Sequence, residues 1–218
     1  ARSFLNVSQG TACLHNLFAG KVLAVPDTNR FTMYHRPHST QVGGVMLIYG
    51  GDDRVFHNIF VGSTRQVWQD GAYGTACYKA YSHEAAAKGM DNDTPTADLG
   101  RTLPVTAREN LYLNGAESWE HESKPRVLPD FRAEISVEEQ DGHLWLCTNL
   151  DEIADALDAW RVDRVTTAQL GKAFEPDQPF ENRDESPYTA DTDLLGRPRP
   201  QKTWIGPFEG SCRRVRLV

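Results

Sequence analysis

The octet Cys13–Gly20 (CLHNLFAG) returns 42 positions later as Val55–Gly62 (VFHNIFVG), with His15/His57, Asn16/Asn58, Phe18/Phe60 and Gly20/Gly62 in register. Carried backwards, the match pairs Leu5 with Leu47 and defines two units, Ser3–Gly20 and Val45–Gly62. Short strand-rich units that repeat at a fixed offset are the signature of stacked coils in a parallel β-solenoid. One coil cannot bury its apolar face alone, so about three or more must stack, and the ends need caps. The chain opens on such a coil (RSFLNV) with no cap before it, and is therefore expected to be the later part of something longer.

Composition narrows the function. At 39% apolar residues over 218 positions the chain can build a core. A formal charge of −7 argues against a nucleic-acid partner, which calls for a basic face. No run of about 20 apolar residues is present, so no membrane-spanning helix is expected. The start has neither an initiating Met nor a basic segment followed by an apolar run, so Ala1 is expected to be a processing, cloning or cleavage boundary. Cys13, Cys77, Cys147 and Cys212 are far apart with no CxxC spacing, which speaks against zinc and for buried free thiols. Counting alone leaves two disulfides open, and with them the compartment.

Along the chain, Lys21–Gly44 reads as a loop-like insertion between the coils, and GGDD at Gly50–Asp53 as a turn. Insertions in solenoids emerge on one face, often the binding face. Ser63–Asp98 is polar and turn-rich, with a short helix expected over His83–Lys88. From Arg108 the segments ENLYLN, RAEISVEE and HLWLCT alternate like half-buried antiparallel strands, the last two joined by an Asp141–Gly142 hairpin turn. Asn149 is placed to cap a helix over Leu150–Trp160 with Ile153, Ala154, Leu157 and Trp160 on one face. Beyond Phe174 an extended tail wraps over the rest. The expected fold is mainly β: terminal coils of a parallel β-helix over residues 1–107, then antiparallel strands, a short helix and a wrapping tail as a cap over 108–218.

The repeated His15/His57 and Asn16/Asn58 are expected to form structural ladders rather than ligand sites, with Asn satisfying backbone groups at a coil corner. Phe18 and Phe60 read as a core stack. Asp52 and Asp53, followed by Arg54, have three open readings: binding sugar hydroxyls, holding a cation, or bracing a loop through Arg54. Adjacent strand residues point to opposite faces, so the two acids are not expected to act as an acid/base pair. Arg30–Thr40 (RFTMYHRPHST) gathers aromatic and imidazole groups in an expected loop, the mixture a carbohydrate site needs. Asp91, Asp93 and Glu117–Glu122 read as solvated surface. No GxSxG, P-loop, GxGxxG or HExxH occurs, and no cofactor or metal ion is expected.

Three consecutive blocks, Ser8–Gly20 (SQGTACLHNLFAG), Tyr34–Thr40 (YHRPHST) and Tyr49–Gly62 (YGGDDRVFHNIFVG), resemble the β-xylosidases of glycoside hydrolase family 120. Thr167–Pro176 (TAQLGKAFEP), Asp191–Pro200 (DTDLLGRPRP) and Gly206–Glu209 (GPFE) are similar to that family's C-terminal section, and the likeness covers most of Ser3–Glu209. The resemblance implies a right-handed parallel β-helix with an accessory β-sandwich, and hydrolysis of β-xylosides with retention. It also implies that the catalytic Asp and Glu lie on coils before the SQG block, with Asn6 at the equivalent strand position here. Retention needs two carboxyls about 5–5.5 Å apart, a spacing that stacked strands about 4.8 Å apart suit well. This chain offers no such pair, since Asp52 is matched by Gly10 and Asp53 by Thr11.

The resulting expectation is a C-terminal part of a retaining glycosidase acting on xylose-containing oligosaccharides, inactive by itself, whose partner is an upstream β-helix segment. Asn6, Gln9, Tyr34, His35, His38 and Asp52 are expected to line the sugar site, with Arg54 bracing Asp53. Two other classes remain open: a β-helix polysaccharide lyase, and a non-catalytic solenoid that binds glycan or protein.

Overall fold

The computed structural model describes residues 2–63, 70–83 and 102–217. Strands dominate. The first pass of the chain gives β1 (Arg2–Asn6), β2 (Ala12–Leu14) and β3 (Leu17–Phe18). After β4 (Lys21–Ala24) come β5 (Asp27–His35) and β6 (Val42–Ile48), then a second pass, β7 (Arg54–Phe56) and β8 (Ile59–Val61). A third pass supplies β9 (Thr106–Arg108) and β10 (Leu111–Leu113), and β11 (Arg126–Val127) follows. The passes build two parallel sheets, β2-β7-β9 and β3-β8-β10-β11.

The 42-residue offset is the register of the first two passes: Cys13 pairs with Val55 and Phe18 with Phe60, and a bridge joins Gln9 to Gly51. Each pass turns from one sheet to the other at one left-handed residue, His15 (φ 53°), His57 (φ 58°) or Glu109 (φ 52°). A left-handed non-glycine residue costs about 1–2 kcal/mol, and the next residue in every pass is the Asn that stabilises the corner. Asn16 N–H donates to Asn58 Oδ1 (2.8 Å) and Asn58 N–H to Asn110 Oδ1 (2.8 Å). The Asn58 and Asn110 amides donate onward to the carbonyls of Cys13 and Val55. Glu122 ends the ladder by accepting from Asn110 N–H at 3.1 Å. Between the sheets Phe4, Phe18, Phe60 and Tyr112 follow one another at 5.7, 5.1 and 5.4 Å, with Val55, Ala107 and Trp119 in the same core.

Several expectations are corrected. Leu5 does not pair with Leu47: β1 runs parallel to β4, Leu5 against Leu23, and Leu47 lies in β6. Lys21–Gly44 is not a loop, because β5 and β6 form an antiparallel hairpin. The Glu109–Asn114 segment is not antiparallel but the third parallel pass, and β9 straddles the 107/108 boundary. Glu122 is not solvated but buried, accepting from Thr75 Oγ1, Tyr112 Oη and Asn110. The His83–Lys88 helix lies, apart from His83, outside the described residues.

The remainder covers the outer faces. β12 (Ile135–Gln140) and β13 (His143–Thr148) form the expected hairpin, with Asp141 and Gly142 left-handed at its turn. The following helix is a 3₁₀ turn, Leu150–Ile153, that continues as α1 (Ala154–Ala159). Asn149 does not cap it; its side chain instead accepts from Glu134 N–H and donates to the Arg132 carbonyl. Leu150, Ile153 and Leu157 pack on Ile59, Val61, Leu111 and Leu113. The tail then passes through β14 (Val162–Asp163), α2 (Thr167–Leu170), β15 (Lys172–Ala173), β16 (Gln178–Pro179), β17 (Lys202–Thr203) and β18 (Arg214–Arg216). Val165, Leu170 and Ala190 of this tail bury Phe56. Buried Arg199 holds it in place, donating to Thr203 Oγ1 at 3.0 Å and to the Gly206 carbonyl at 2.9 Å. No helix among the described residues is long and apolar enough to cross a membrane.

Candidate functional site

The turn before β7 places Gly50 (φ 74°), Gly51 (φ 93°) and Asp52 (φ 54°) in the left-handed region one after another. Only glycine fits at Gly51, where a Cβ would sit 1.9 Å from the Leu103 carbonyl oxygen. The turn aims successive carboxylates in opposite directions. Asp53 points into the core. It accepts from Asn6 Nδ2 (2.9 Å), Tyr78 Oη (3.0 Å) and Thr11 N–H (3.1 Å), and burial raises its pKa to about 7 against the pull of those donors.

Asp52 faces the other way, onto the tail. Its Oδ2 accepts from Phe174 N–H at 2.7 Å and its Oδ1 is ion-paired with Arg54. Burial raises its carboxyl, and Arg54 and the Phe174 amide oppose the shift. The expectation that Arg54 braces Asp53 is therefore corrected: its partner is Asp52. Arg54 further donates to the carbonyls of Leu170 (2.9 Å) and Lys172 (2.6 Å) and lies 4.8 Å over the Phe180 ring. One guanidinium thus fastens the β15–β16 segment to the turn.

A cleft of about 440 Å³ opens where this turn, the β5–β6 hairpin and the tail meet. Gln9, Tyr34, His35 and Asp52 line it from one side, and Glu175 and Phe180 from the tail. Gln9 is held by accepting from Tyr49 N–H at 3.0 Å. Tyr34 lies over Gly43 and Gly44, where a Cβ would come within 2.9 and 2.7 Å of its ring atoms and hydroxyl. His38 reaches across to the tail, its Nε2 2.8 Å from Glu181 Oε1 and 3.3 Å from Gln178 Nε2, and the Glu181 carboxylate raises its pKa. Four of the six expected contact residues therefore share the cleft, His38 ties the hairpin to the tail beside it, and Asn6 is buried against Asp53 instead.

A second cleft of about 390 Å³ shares Asp52 and is lined further by Arg54, Phe56, Arg108, Gln169 and Lys172. Among the described residues no three His, Cys, Asp or Glu side chains come together as a metal-binding group. The four cysteines are free thiols, and burial pushes Cys13 and Cys77 up to about 12. Of the cleft residues that the sequence did not point to, Gly10 and Met46 lie on the side of Gln9 and Tyr34, and Glu175, Gln178, Phe180 and Glu181 lie on the tail. The tail residues are more than a hundred positions from Asp52, and their one sequence signal is that Glu175 falls within the Thr167–Pro176 block.

No protein-family model matches the chain, and no curated protein matches it. A solved structure described as the complex of XylC with xylose is similar over 98% of this chain, with 30% sequence identity and a TM-score of 0.82. The chain spans 34% of the length of that protein.

Proposed function

We propose that this chain is the sugar-binding, C-terminal portion of a retaining glycosidase acting on β-xylosides, built as the last coils of a right-handed parallel β-helix with residues beyond the third pass as its cap. Gln9, Tyr34, His35 and Asp52 contact the sugar, His38 holds the hairpin that carries Tyr34, and Asn6 acts indirectly by fixing Asp53. The carboxylates that perform the hydrolysis, a nucleophile and a proton donor about 5–5.5 Å apart, are supplied by sequence preceding Ala1 in a longer polypeptide.

The observation that carries this reading is the cleft itself, in a chain so similar to a xylose-bound protein. Its volume falls within the range of small-molecule sites. An aromatic ring, an amide, an imidazole and carboxylates supply a stacking face and several hydrogen-bonding groups, which suit a neutral ring with many hydroxyls. Glu175, which has no ion-pair partner among the described residues, repels uronates, which disfavours a polysaccharide lyase.

The test is hydrolysis of an aryl β-xyloside by the polypeptide that carries this chain together with the preceding sequence, with the product anomer followed by NMR. First formation of β-xylose is expected, and no turnover by the 218-residue chain alone. Xylose binding without turnover by the longer polypeptide would make the protein a binding module. Eliminative cleavage of uronates would make it a lyase.

A further inference from the structure

The acids on and beside the cleft differ in what holds them. Asp52 is engaged by Arg54 and Phe174 N–H, and Glu181 by His38 at 2.8 Å. Glu175 lines the same cleft half-buried, and the one influence on its carboxyl is desolvation, which raises its pKa. Among the described residues nothing donates to it.

Its backbone, by contrast, is anchored just upstream. Phe174 N–H is bonded to Asp52, and the carbonyl of Lys172, three positions before Glu175, accepts from Arg54. Pro176 follows and disfavours a helical backbone at Glu175, which stands in the turn between β15 and β16. A rigid backbone thus presents a carboxylate that is partly stripped of water and lacks a protein donor. An ionised carboxylate accepts at both oxygens, with about four lone-pair sites, so two neighbouring hydroxyls on one ring can donate to it together. Gln9 and Tyr34 share the cleft and complete the set of groups a pyranose needs.

We propose that Glu175 is a sugar-contacting carboxylate of this cleft, accepting hydrogen bonds from ring hydroxyls of the bound xyloside. The inference rests on the carbohydrate reading above and adds to it a specificity-determining residue from the tail. Glu175→Gln keeps the shape and removes one charged acceptor, and Glu175→Ala removes the group.

The test is calorimetric titration of xylose and xylobiose into the whole chain and these two variants, with melting temperatures measured alongside. Wild-type binding that weakens about tenfold or more in both variants at unchanged melting temperature is expected, as for the loss of a charge-assisted hydrogen bond. Equal affinity of the variants and the wild type would overturn the role of Glu175 and leave the carbohydrate reading standing. Absence of binding by the wild type would overturn both.

Discussion

Asp53 and Asn58 are buried polar residues, and each makes a prediction. The pKa of Asp53 is raised to about 7 in the folded chain, above its unfolded value near 4. A raised folded pKa means that the contribution to stability is fully present below about pH 4 and is lost as pH rises through about 7. The midpoint of chemical unfolding of the wild type, taken relative to that of Asp53→Asn, should therefore fall between pH 4 and pH 8. Asp52 and Glu122 are shifted in the same direction and buried His15 and His57 in the opposite one, and the difference between wild type and variant cancels all four and isolates Asp53. Asn58→Ala strips side-chain partners from Asn16 N–H and the Cys13 carbonyl. Two unsatisfied backbone groups cost about 1–3 kcal/mol each, so a loss of about 3 kcal/mol is expected by denaturant titration. The His, Asn and Phe ladders were legible because the same residue recurs at a fixed offset. The pairing of Arg54 was not, because Asp52 and Asp53 are adjacent and only the left-handed turn decides which one faces the guanidinium.

At the scale of elements, the third pass explains where reading by repetition stops. Its strands pair with the second at a 52-residue offset, Ile59 against Leu111, rather than 42. Glu109 stands where the earlier passes have His, and Tyr112 where they have Phe. The identities changed while the geometry did not: Glu109 keeps the left-handed corner, Asn110 keeps the ladder and Tyr112 keeps the stack. The β5–β6 hairpin escaped for a different reason. Its strand β5 carries Phe31 and Met33 outward and Tyr34 toward the cleft, and a glycine pair opposite Tyr34 reads as a loop. Those glycines make room for the ring. Gly44→Ala should force Tyr34 off its seat, because the added Cβ would lie 2.7 Å from the hydroxyl. Since Tyr34 is half-buried and can swing outward, weaker xylose binding with a melting temperature changed by only a few degrees is expected.

Over the whole molecule, the cleft exists only because distant parts of the chain meet. Arg54 donates to carbonyls 116 and 118 positions away, and His38 bonds Glu181 across 143 positions. No periodicity connects such residues, so the sequence pointed to Gln9, Tyr34, His35 and Asp52 but not to the tail side of the cleft. Arg54→Lys keeps the charge but cannot reach Asp52 and two carbonyls at once. It should leave the parallel sheets folded, weaken xylose binding and speed proteolysis within the Leu170–Phe180 segment, as read by mass spectrometry of the fragments.

The most direct measurement is a titration of xylose into isotopically labelled chain, followed by heteronuclear NMR. The account predicts saturable shifts at Gln9, Gly10, Tyr34, Gly44, Asp52 and Glu175, and unchanged signals in the β12–β13 hairpin. Shifts confined to residues outside the cleft, or none at millimolar sugar, would contradict it.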